Sequence, residues 1–216
     1  MHETMNKNTQ TNVVGVLLAG GLSRRFGGGD KSLNVLGGQS LIARIAERAR
    51  PQVDALILNA SGAPARFGDL GLAVVADVAP GALGPLAGVL TGMAWARTHV
   101  RGTQWVATFA SDAPFVPHDL VARLLDAAVN AGASIAMARS AGRAHPVCAL
   151  WSVELMDDLR RAVADEGLRK VMAWVERHAN VEVEFSADPV DPFFNINTPE
   201  DLREAERLLT VNSAER

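Results

Sequence analysis

The stretch from Val13 to Lys31, VVGVLLAGGLSRRFGGGDK, is the most informative part of the sequence. It begins with a short apolar, β-branched run, which is typical of a strand buried on both faces of a sheet. The loop that follows is rich in glycine and carries two arginines, an aspartate and a lysine. Because glycine lets backbone N–H groups approach an anion closely, such a loop after a strand can hold phosphates. The alternative is a flexible turn with solvated charges, but the clustered cations favour phosphate.

This loop carries neither of the two common nucleotide-binding fingerprints. No glycine directly precedes Lys31, so the pattern GxxxxGK[ST] is absent, and GGLSRRFGGG lacks the GxGxxG spacing of a dehydrogenase. What remains is a phosphate-binding loop with its own cations. In it, Lys31 supplies a point charge and Arg24 or Arg25 a bidentate fork. Asp30 can instead pair with Lys31 or with Arg25.

Strand-like and helix-like patterns alternate through about the first 140 residues, which predicts an α/β fold. We expect a mainly parallel central sheet with helices on both faces, in a single domain over 13–210 behind a disordered tail at 1–12. Within it, 13–115 would be the nucleotide-binding part and 116–210 the acceptor-binding part. The predicted strands are 13–18, 55–58, 72–76, 105–110, 133–138, 145–151 and 181–185. The predicted helices begin at Ser40, after a loop at 79–88, at Pro117, after Ser152, near Leu168 and at Thr198.

The bulk properties of the sequence exclude several classes of protein. The net charge of −3 and a pI near 6.0 provide no basic field for nucleic acid or an anionic membrane. No apolar run approaches the ~18 residues of a transmembrane helix, and the polar N-terminus lacks the apolar core of a signal peptide. Cys148 is the single cysteine, so it cannot form an internal disulfide. We therefore expect a cytoplasmic protein.

Polar residues follow successive predicted strands at Asn59, Asp77 and Ser111-Asp112. In an open parallel sheet, ligands bind in the crevice outside the carboxyl ends of the strands. There Asp112 would offer a hard oxygen to Mg²⁺ beside substrate phosphates, unless it forms an Asx turn or a helix N-cap. Asn59 and Asp77 lie where a base or ribose would bind, or they cap local turns. The sequence therefore predicts a magnesium–nucleotide site at this edge.

Other reactive side chains give weaker signals. The five histidines show no HxH or HExxH spacing, so a zinc site is not expected. His145, in GRAHP, is either a contact to an acceptor substrate or an ordinary loop histidine. Cys148 lies within an apolar strand without an activating partner and is predicted to belong to the core.

Taken together, these motifs resemble those of the molybdenum cofactor guanylyltransferases. The loop matches the family pattern LAGGxSxRMGGxDK, with Phe26 where methionine is usual. The resemblance extends over about 13–209, because further motifs follow in the family's order. They are Asn59 at a strand end, VVAD ending at Asp77, GPLAG at 84–88, SDAPFVP, GRAHPVCAL and FFNINTPEDL. SDAP replaces the more usual CDTP but keeps the aspartate.

The resemblance implies a Rossmann-like nucleotidyltransferase fold and transfer of GMP from GTP to molybdopterin, with Mg²⁺ as cofactor and pyrophosphate as product. It also implies transient contact with cofactor-handling proteins and molybdoenzymes. By position, the catalytic residues would be Lys31, Arg25 and Asp112, with Asp112 the metal ligand. The remaining contacts would come from Leu18, Ala19, Gly20, Gly21, Lys31, Asn59, Asp77 and Asp112 for the nucleotide, and from Asn195 and Asn197 for the pterin.

Two alternatives stay open at the level of sequence. One is a cytidylyltransferase acting on molybdopterin or on a sugar or polyol phosphate, although such relatives more often carry LAAG and lack GPLAG here. The other is a nucleotide-binding protein without catalysis that handles the cofactor. A comparison of GTP with CTP, followed by pyrophosphate release, separates all three.

Overall fold

A seven-stranded sheet forms the centre of the computed structural model, which describes residues 12–20, 31–79 and 84–214. In chain order the strands are β1 (Asn12–Leu18), β2 (Val35–Leu36), β3 (Gln39–Ser40), β4 (Ala55–Asn59), β5 (Ala73–Val75), β6 (Thr103–Ala110), β7 (Ile135–Ser140), β8 (Arg143–Ser152) and β9 (Asn180–Glu184). The α-helices are α1 (Leu41–Ala49), α2 (Pro85–His99), α3 (Leu120–Ala131), α4 (Met156–Ala164), α5 (Val171–Val175) and α6 (Pro199–Ala214).

The strand order places the predicted site at one edge of the sheet. The order is β5-β4-β1-β6-β8-β7-β9, and every neighbouring pair is parallel except those that involve β8. The carboxyl ends of the other strands and the amino end of β8 therefore lie along the same edge, here called the carboxyl edge. This arrangement confirms the predicted mainly parallel sheet. Strands β2 and β3 pair separately as a small antiparallel hairpin.

Helices cover both faces of the sheet, as predicted. On one face α1 and α3 pack against a cluster that includes Leu17, and on the other α2, α4 and α5 pack against a cluster that includes Val16. Successive strand residues point to opposite faces, so adjacent residues of β1 belong to different cores. Among the described residues, no helix has both the length and the apolar character needed to cross a membrane.

Helix α1 follows directly from its sequence. Ser40 precedes it in an extended conformation, and its hydroxyl accepts a hydrogen bond from the Ala43 N–H at 3.3 Å. The predicted inward face is confirmed, because all five of its residues are buried: Leu41, Ile42, Ile45, Ala46 and Ala49. Burial of this stripe, more than helix propensity, holds so short a helix in place.

Several predicted boundaries were wrong. Helix α2 begins at Pro85, inside the predicted loop at 79–88, because proline suits the first turn of a helix and Gly84 turns the chain with a φ of 103°. Helix α3 begins at Leu120 rather than at Pro117. The side chains of Arg48 and Gln52 bond the carbonyls of Val116 and Pro117, which keeps that stretch out of the helix.

Two smaller differences occur near the ends of elements. Asn12, assigned to the tail by sequence, is the first residue of β1, and its side chain donates to the Arg101 carbonyl at 3.0 Å. Leu168 precedes the short α5 instead of lying in it, and its N–H bonds the Ala162 carbonyl at 2.9 Å. Neither difference moves a residue of the predicted site.

Candidate active site

Lys31 joins three distant parts of the chain at the carboxyl edge. Its ammonium group donates to Asp112 Oδ2 at 2.6 Å and to Asn197 Oδ1 at 2.7 Å. The side chains of Lys31 and Asp112 are 19% and 22% exposed, so this ion pair is shielded from solvent but open to a ligand. One carboxylate oxygen and one amide oxygen thus both contact the Lys31 ammonium group.

Asp112 is held by its place after β6 and by a contact from the C-terminal third of the chain. A turn follows the strand, in which the Ala113 N–H bonds the Ala110 carbonyl at 3.4 Å. The Ile196 N–H donates to the Asp112 carbonyl at 2.9 Å. Ile196 belongs to the segment 191–197, here called the strap. The strap therefore fixes the backbone of the aspartate as well as supplying Asn197.

Asn197 is positioned by the first turn of α6. Asp201 Oδ2 accepts the N–H groups of Asn197 and Thr198, both at 2.8 Å, while the Asp201 N–H donates to Thr198 Oγ1 at 3.1 Å. This reciprocal cap confirms the start signal in TPED. The Asn197 N–H is the main reason why the pKa of Asp201 lies below its usual value, and the charge of Lys31 adds to the effect.

A second polar pair lies where β4 and β5 end. Asn59 Nδ2 donates to Asp77 Oδ1 at 2.9 Å and to the Val75 carbonyl at 3.2 Å, and Asn59 itself is buried. The Asn59 carbonyl accepts the Ala19 N–H at 2.9 Å, which ties the pair to the end of β1. Because β1 separates β4 from β6, the two polar groups lie about two strand spacings, or about 10 Å, apart.

Helix α2 packs directly against this second pair. A Cβ added to Gly88 would lie 2.4 Å from the Leu18 side chain and 2.5 Å from Asn59 Oδ1. One turn later, the fully buried Thr91 accepts the Val78 N–H at 3.1 Å and donates to the Ala87 carbonyl at 2.8 Å. The residue after Asp77 is therefore fixed by α2. Sequence reasoning missed Thr91, although GPLAG placed Gly88 within a motif.

The structure brings together most of the predicted site residues that it describes. Leu18 ends β1 between the two polar pairs, Ala19 and Gly20 follow it, and Gly20 is exposed. Asn195 is exposed on the strap next to the buried Ile196. Gly21 and Arg25, which complete the predicted phosphate loop, lie outside the described residues.

The donor set at Lys31 fits a hard cation. No group of three or more histidine, cysteine, aspartate or glutamate residues gathers within 12–20, 31–79 and 84–214. Asp112 instead provides a single carboxylate beside the amide oxygen of Asn197, and both already contact a cationic group. One carboxylate with substrate phosphates is a normal arrangement for Mg²⁺.

The two remaining candidates from the sequence have different surroundings. Partial burial lowers the pKa of His145, against the opposing charge of Asp191, and the ring contacts Ser140 at 2.8 Å. Cys148 is fully buried, and burial raises the pKa of its thiol to about 12. The prediction that Cys148 belongs to the core is therefore confirmed.

Comparison with known proteins identifies the family. The family described as the MobA-like NTP transferase domain matches residues 15–181, more than half of the chain. The chain belongs to this family. The MobA-like assignment agrees with the resemblance drawn from the glycine loop and the strand ends, and with the observed fold.

Relatives of this MobA-like chain cover it almost completely. A molybdenum cofactor guanylyltransferase of Rhodopseudomonas palustris is 51% identical over 92% of this chain and 94% of its own. The crystal structure of molybdopterin-guanine dinucleotide biosynthesis protein A from Archaeoglobus fulgidus has a TM-score of 0.73 at 24% identity, covering 92% of this chain and 99% of that one. A Mycobacterium tuberculosis protein crystallised with manganese has a TM-score of 0.66 at 24% identity, covering 91% and 99%.

Proposed function

We propose that the protein is a molybdenum cofactor guanylyltransferase, which transfers GMP from GTP to molybdopterin and releases pyrophosphate. The observation that carries the proposal is the placement of the Lys31 ammonium between Asp112 and Asn197. This contact joins the predicted phosphate loop, the predicted metal ligand and the predicted pterin segment. The name of the Rhodopseudomonas palustris relative, at 51% identity, supports the same activity.

In this proposal the nucleotide binds across the ends of β4, β1 and β6. Leu18 ends β1, and Ala19 and Gly20 lead from it into the loop, whose Gly21 and Arg25 would contact the triphosphate together with Lys31. Asn59 and Asp77 would contact the nucleoside. Their mutual hydrogen bond at 2.9 Å holds both side chains in place before the ligand arrives. The protein therefore offers a preformed surface, which lowers the entropic cost of binding.

Asp112 would hold Mg²⁺ through its carboxylate, with phosphate oxygens of the substrate completing the shell. Such an ion would supply positive charge that offsets the negative charge of the substrate phosphates. Lys31 would add its own positive charge beside the same phosphates. The manganese in the Mycobacterium tuberculosis relative agrees with a divalent ion.

The reaction needs little covalent work from the protein. A terminal phosphate oxygen of molybdopterin forms a bond to the α-phosphorus of GTP, and the bond from that phosphorus to the pyrophosphate oxygen breaks. Lys31 and Arg25 would offset the charge that develops on the departing pyrophosphate. Orientation of the two phosphates in line supplies much of the remaining rate enhancement.

The acceptor would bind on the side of the strap. Asn195 and Asn197 would contact the pterin, so 116–210 would form the acceptor-binding part and 13–115 the nucleotide-binding part of one domain. We place the protein in the cytoplasm, where transient contacts with cofactor-handling proteins and molybdoenzymes would supply the substrate and receive the product.

Pyrophosphate release tests the proposal directly. Purified protein is incubated with Mg²⁺ and molybdopterin, and with GTP, CTP or ATP in separate reactions. We expect release with GTP, and only when molybdopterin is present. Release with CTP alone would show a cytidylyltransferase, and binding of GTP without any release would show a nucleotide-binding protein.

A further inference from the structure

A chain of three side chains at the carboxyl edge takes no part in the proposed GTP site. Ser140, the last residue of β7, lies between His145 of β8 and Asp191 of the strap. Its Oγ is 2.8 Å from His145 Nε2 and 2.7 Å from Asp191 Oδ1. Ser140 is completely buried, so these partners replace the water that its hydroxyl would otherwise contact.

The direction of these hydrogen bonds fixes the tautomer of His145. An ionised carboxylate only accepts hydrogen bonds, so the single Ser140 proton must point towards Asp191. Ser140 Oγ then has lone pairs left for His145, and Nε2 must be the donor. Because burial lowers the pKa of His145, the ring is neutral near pH 7 and carries its proton on Nε2. Its Nδ1 is therefore a hydrogen-bond acceptor.

Aromatic packing holds the ring in one orientation. His145 stacks on Phe193 of the strap with a centroid separation of 4.7 Å and an interplanar angle of 29°. Phe193 in turn packs edge-on against Phe185 at 5.4 Å. Asp191 Oδ1 also accepts the Phe193 N–H at 3.0 Å, so the same carboxylate fixes both the hydrogen-bond chain and the stacking partner. Such double support is typical of a functional side chain held ready for a ligand.

Nδ1 of His145 is open to solvent. Among the described residues none bonds this atom, and it is absent from the buried polar atoms that lack partners. It therefore contacts solvent. The ring lies at the end of the sheet where Asp112 lies, and four residues of the strap separate Asp191 from Ile196, which bonds Asp112. His145 thus borders the side of the site where the acceptor is proposed to bind.

We propose that His145 is a further acceptor-binding residue, whose Nδ1 accepts a hydrogen bond from an N–H or O–H group of the pterin substrate. This inference rests on the proposed function and adds a contact on the β8 side of the acceptor. Ser140 and Asp191 are positioning residues in it, because they set the tautomer without touching the substrate.

The test compares two substitutions of the same ring. His145→Phe keeps a flat ring for the stack on Phe193 but removes both nitrogens. His145→Asn retains a carbonyl oxygen that branches from the same carbon as Nδ1, so it can restore the acceptor. We expect His145→Phe to raise the KM for molybdopterin about 5- to 10-fold, the size of one lost hydrogen bond, and His145→Asn to recover part of that loss. The KM for GTP should stay within about twofold.

His99→Phe is the matched control. His99 also stacks on an aromatic ring, Trp95, at 4.5 Å, but it ends α2 at the opposite edge of the sheet. Both KM values should stay at the wild-type level in this variant. Equal increases in both KM values for His145→Phe, together with a lower melting temperature, would show a purely structural role and overturn the inference. An unchanged KM for molybdopterin would also overturn it.

Direct binding of molybdopterin, followed by pterin fluorescence, separates this inference from the proposed function. If the wild-type protein binds the pterin more tightly than His145→Phe but transfers no GMP, the proposed function fails and the acceptor contact stands. If transfer is normal in both proteins and their pterin affinities are equal, the proposed function stands and the contact fails. An absence of pterin binding by the wild-type protein overturns both.

Discussion

The two halves of the sheet build their parts of the site in different ways. In β5-β4-β1-β6 the strands are parallel, and the polar residues Asn59, Asp77 and Asp112 lie at or just beyond the strand ends. In β8-β7-β9, one antiparallel strand interrupts the pattern, and the polar groups belong to the strap or depend on it. In the first half, the polar side chains are positioned by the strands that they follow. In the second half, they are positioned by contacts between residues far apart in the sequence. Substitutions can test these two ways of positioning polar groups separately.

The largest effect is expected where the halves meet, at Asp112. Asp112→Ala removes the carboxylate that pairs with Lys31 at 2.6 Å and would hold the metal. We expect turnover with GTP and molybdopterin to fall by at least about 100- to 1,000-fold, the cost of losing a main electrostatic group. Near-normal turnover at saturating Mg²⁺ would contradict this assignment. Circular dichroism of the variant provides the check on folding.

A pair of glycines in α2 tests whether the β5-β4-β1-β6 half depends on close packing. A Cβ at Gly88 would meet Asn59 and Leu18, whereas a Cβ at Gly92 would meet the core side chain of Val16 at 2.4 Å. Both alanine variants should lose about 1–3 kcal/mol of stability from overpacking. The gain in helix propensity is common to both and cancels in the comparison.

Only Gly88→Ala should also weaken GTP binding, by about tenfold or more, because it displaces Asn59 and with it Asp77. Urea unfolding measures the first effect, and the KM for GTP measures the second. Gly68→Ala adds a control with open space around the new methyl group. A raised KM for GTP in Gly92→Ala, equal to that in Gly88→Ala, would mean that general destabilisation explains the effect.

Thr91 tests whether a hydrogen bond from α2 to the backbone after Asp77 supports the β5-β4-β1-β6 half. Thr91→Val keeps the shape of the side chain but leaves the Val78 N–H without its acceptor. We expect the KM for GTP to rise about three- to tenfold, because the backbone next to Asp77 loses a hydrogen bond of about 1 kcal/mol. Thr91→Ser retains the hydroxyl and should bind GTP as the wild type does. If Thr91→Val and Thr91→Ser bind GTP equally well, the hydrogen bond to Val78 does not contribute to GTP binding.

The smallest effect is expected at Asp201, and it depends on pH. Asp201→Ala removes the acceptor for the Asn197 and Thr198 N–H groups and should cost about 1 kcal/mol of stability. Since the folded-state pKa is lowered, the stabilisation by the charge is complete above the unfolded value near 3.8 and is lost as the pH falls through the folded value. The difference in unfolding free energy between wild type and variant should therefore shrink in acid.

Asp201→Asn provides the matched control, because it keeps an oxygen acceptor but cannot ionise. The difference in unfolding free energy between Asp201→Asn and Asp201→Ala should stay the same from pH 7 to pH 3, because neither variant can ionise at this position. A wild-type advantage over Asp201→Asn that grows as the pH falls would contradict the lowered pKa. Urea unfolding at several pH values measures all three proteins.

Local signals predicted much of the fold. The inward face of α1, the cap at Thr198 and the residues at the strand ends depend on neighbours within a few positions, and each has a recognisable pattern. The start of α2 was missed because proline opens a helix as readily as it marks a loop. The sequence thus predicted the elements of β5-β4-β1-β6 better than the contacts of the strap with β8-β7-β9.

Long-range polar contacts account for what the sequence could not predict. Ser140 and Asp191 are 51 residues apart, and Thr91 bonds a backbone group 13 residues before it. No sequence spacing predicts which residue a serine or threonine hydroxyl will contact over such distances, since any strand end or helix face could supply the partner. For this reason the sequence alone allows both interpretations of His145, a contact to the acceptor and an ordinary loop histidine.

Because the strap lies near the C-terminal end of the sequence, its contacts to the site are the last to form during synthesis. Lys31 and Asn197 are separated by 166 residues, and Asn197 is oriented by Asp201. Chains emerge from the ribosome N-terminal part first, so the glycine loop and Asp112 are present long before their third partner. A growing chain therefore exposes the surface proposed for GTP without the groups proposed for the pterin. Until the strap is added, Asp112 also lacks the hydrogen bond from the Ile196 N–H that holds its backbone in the complete protein.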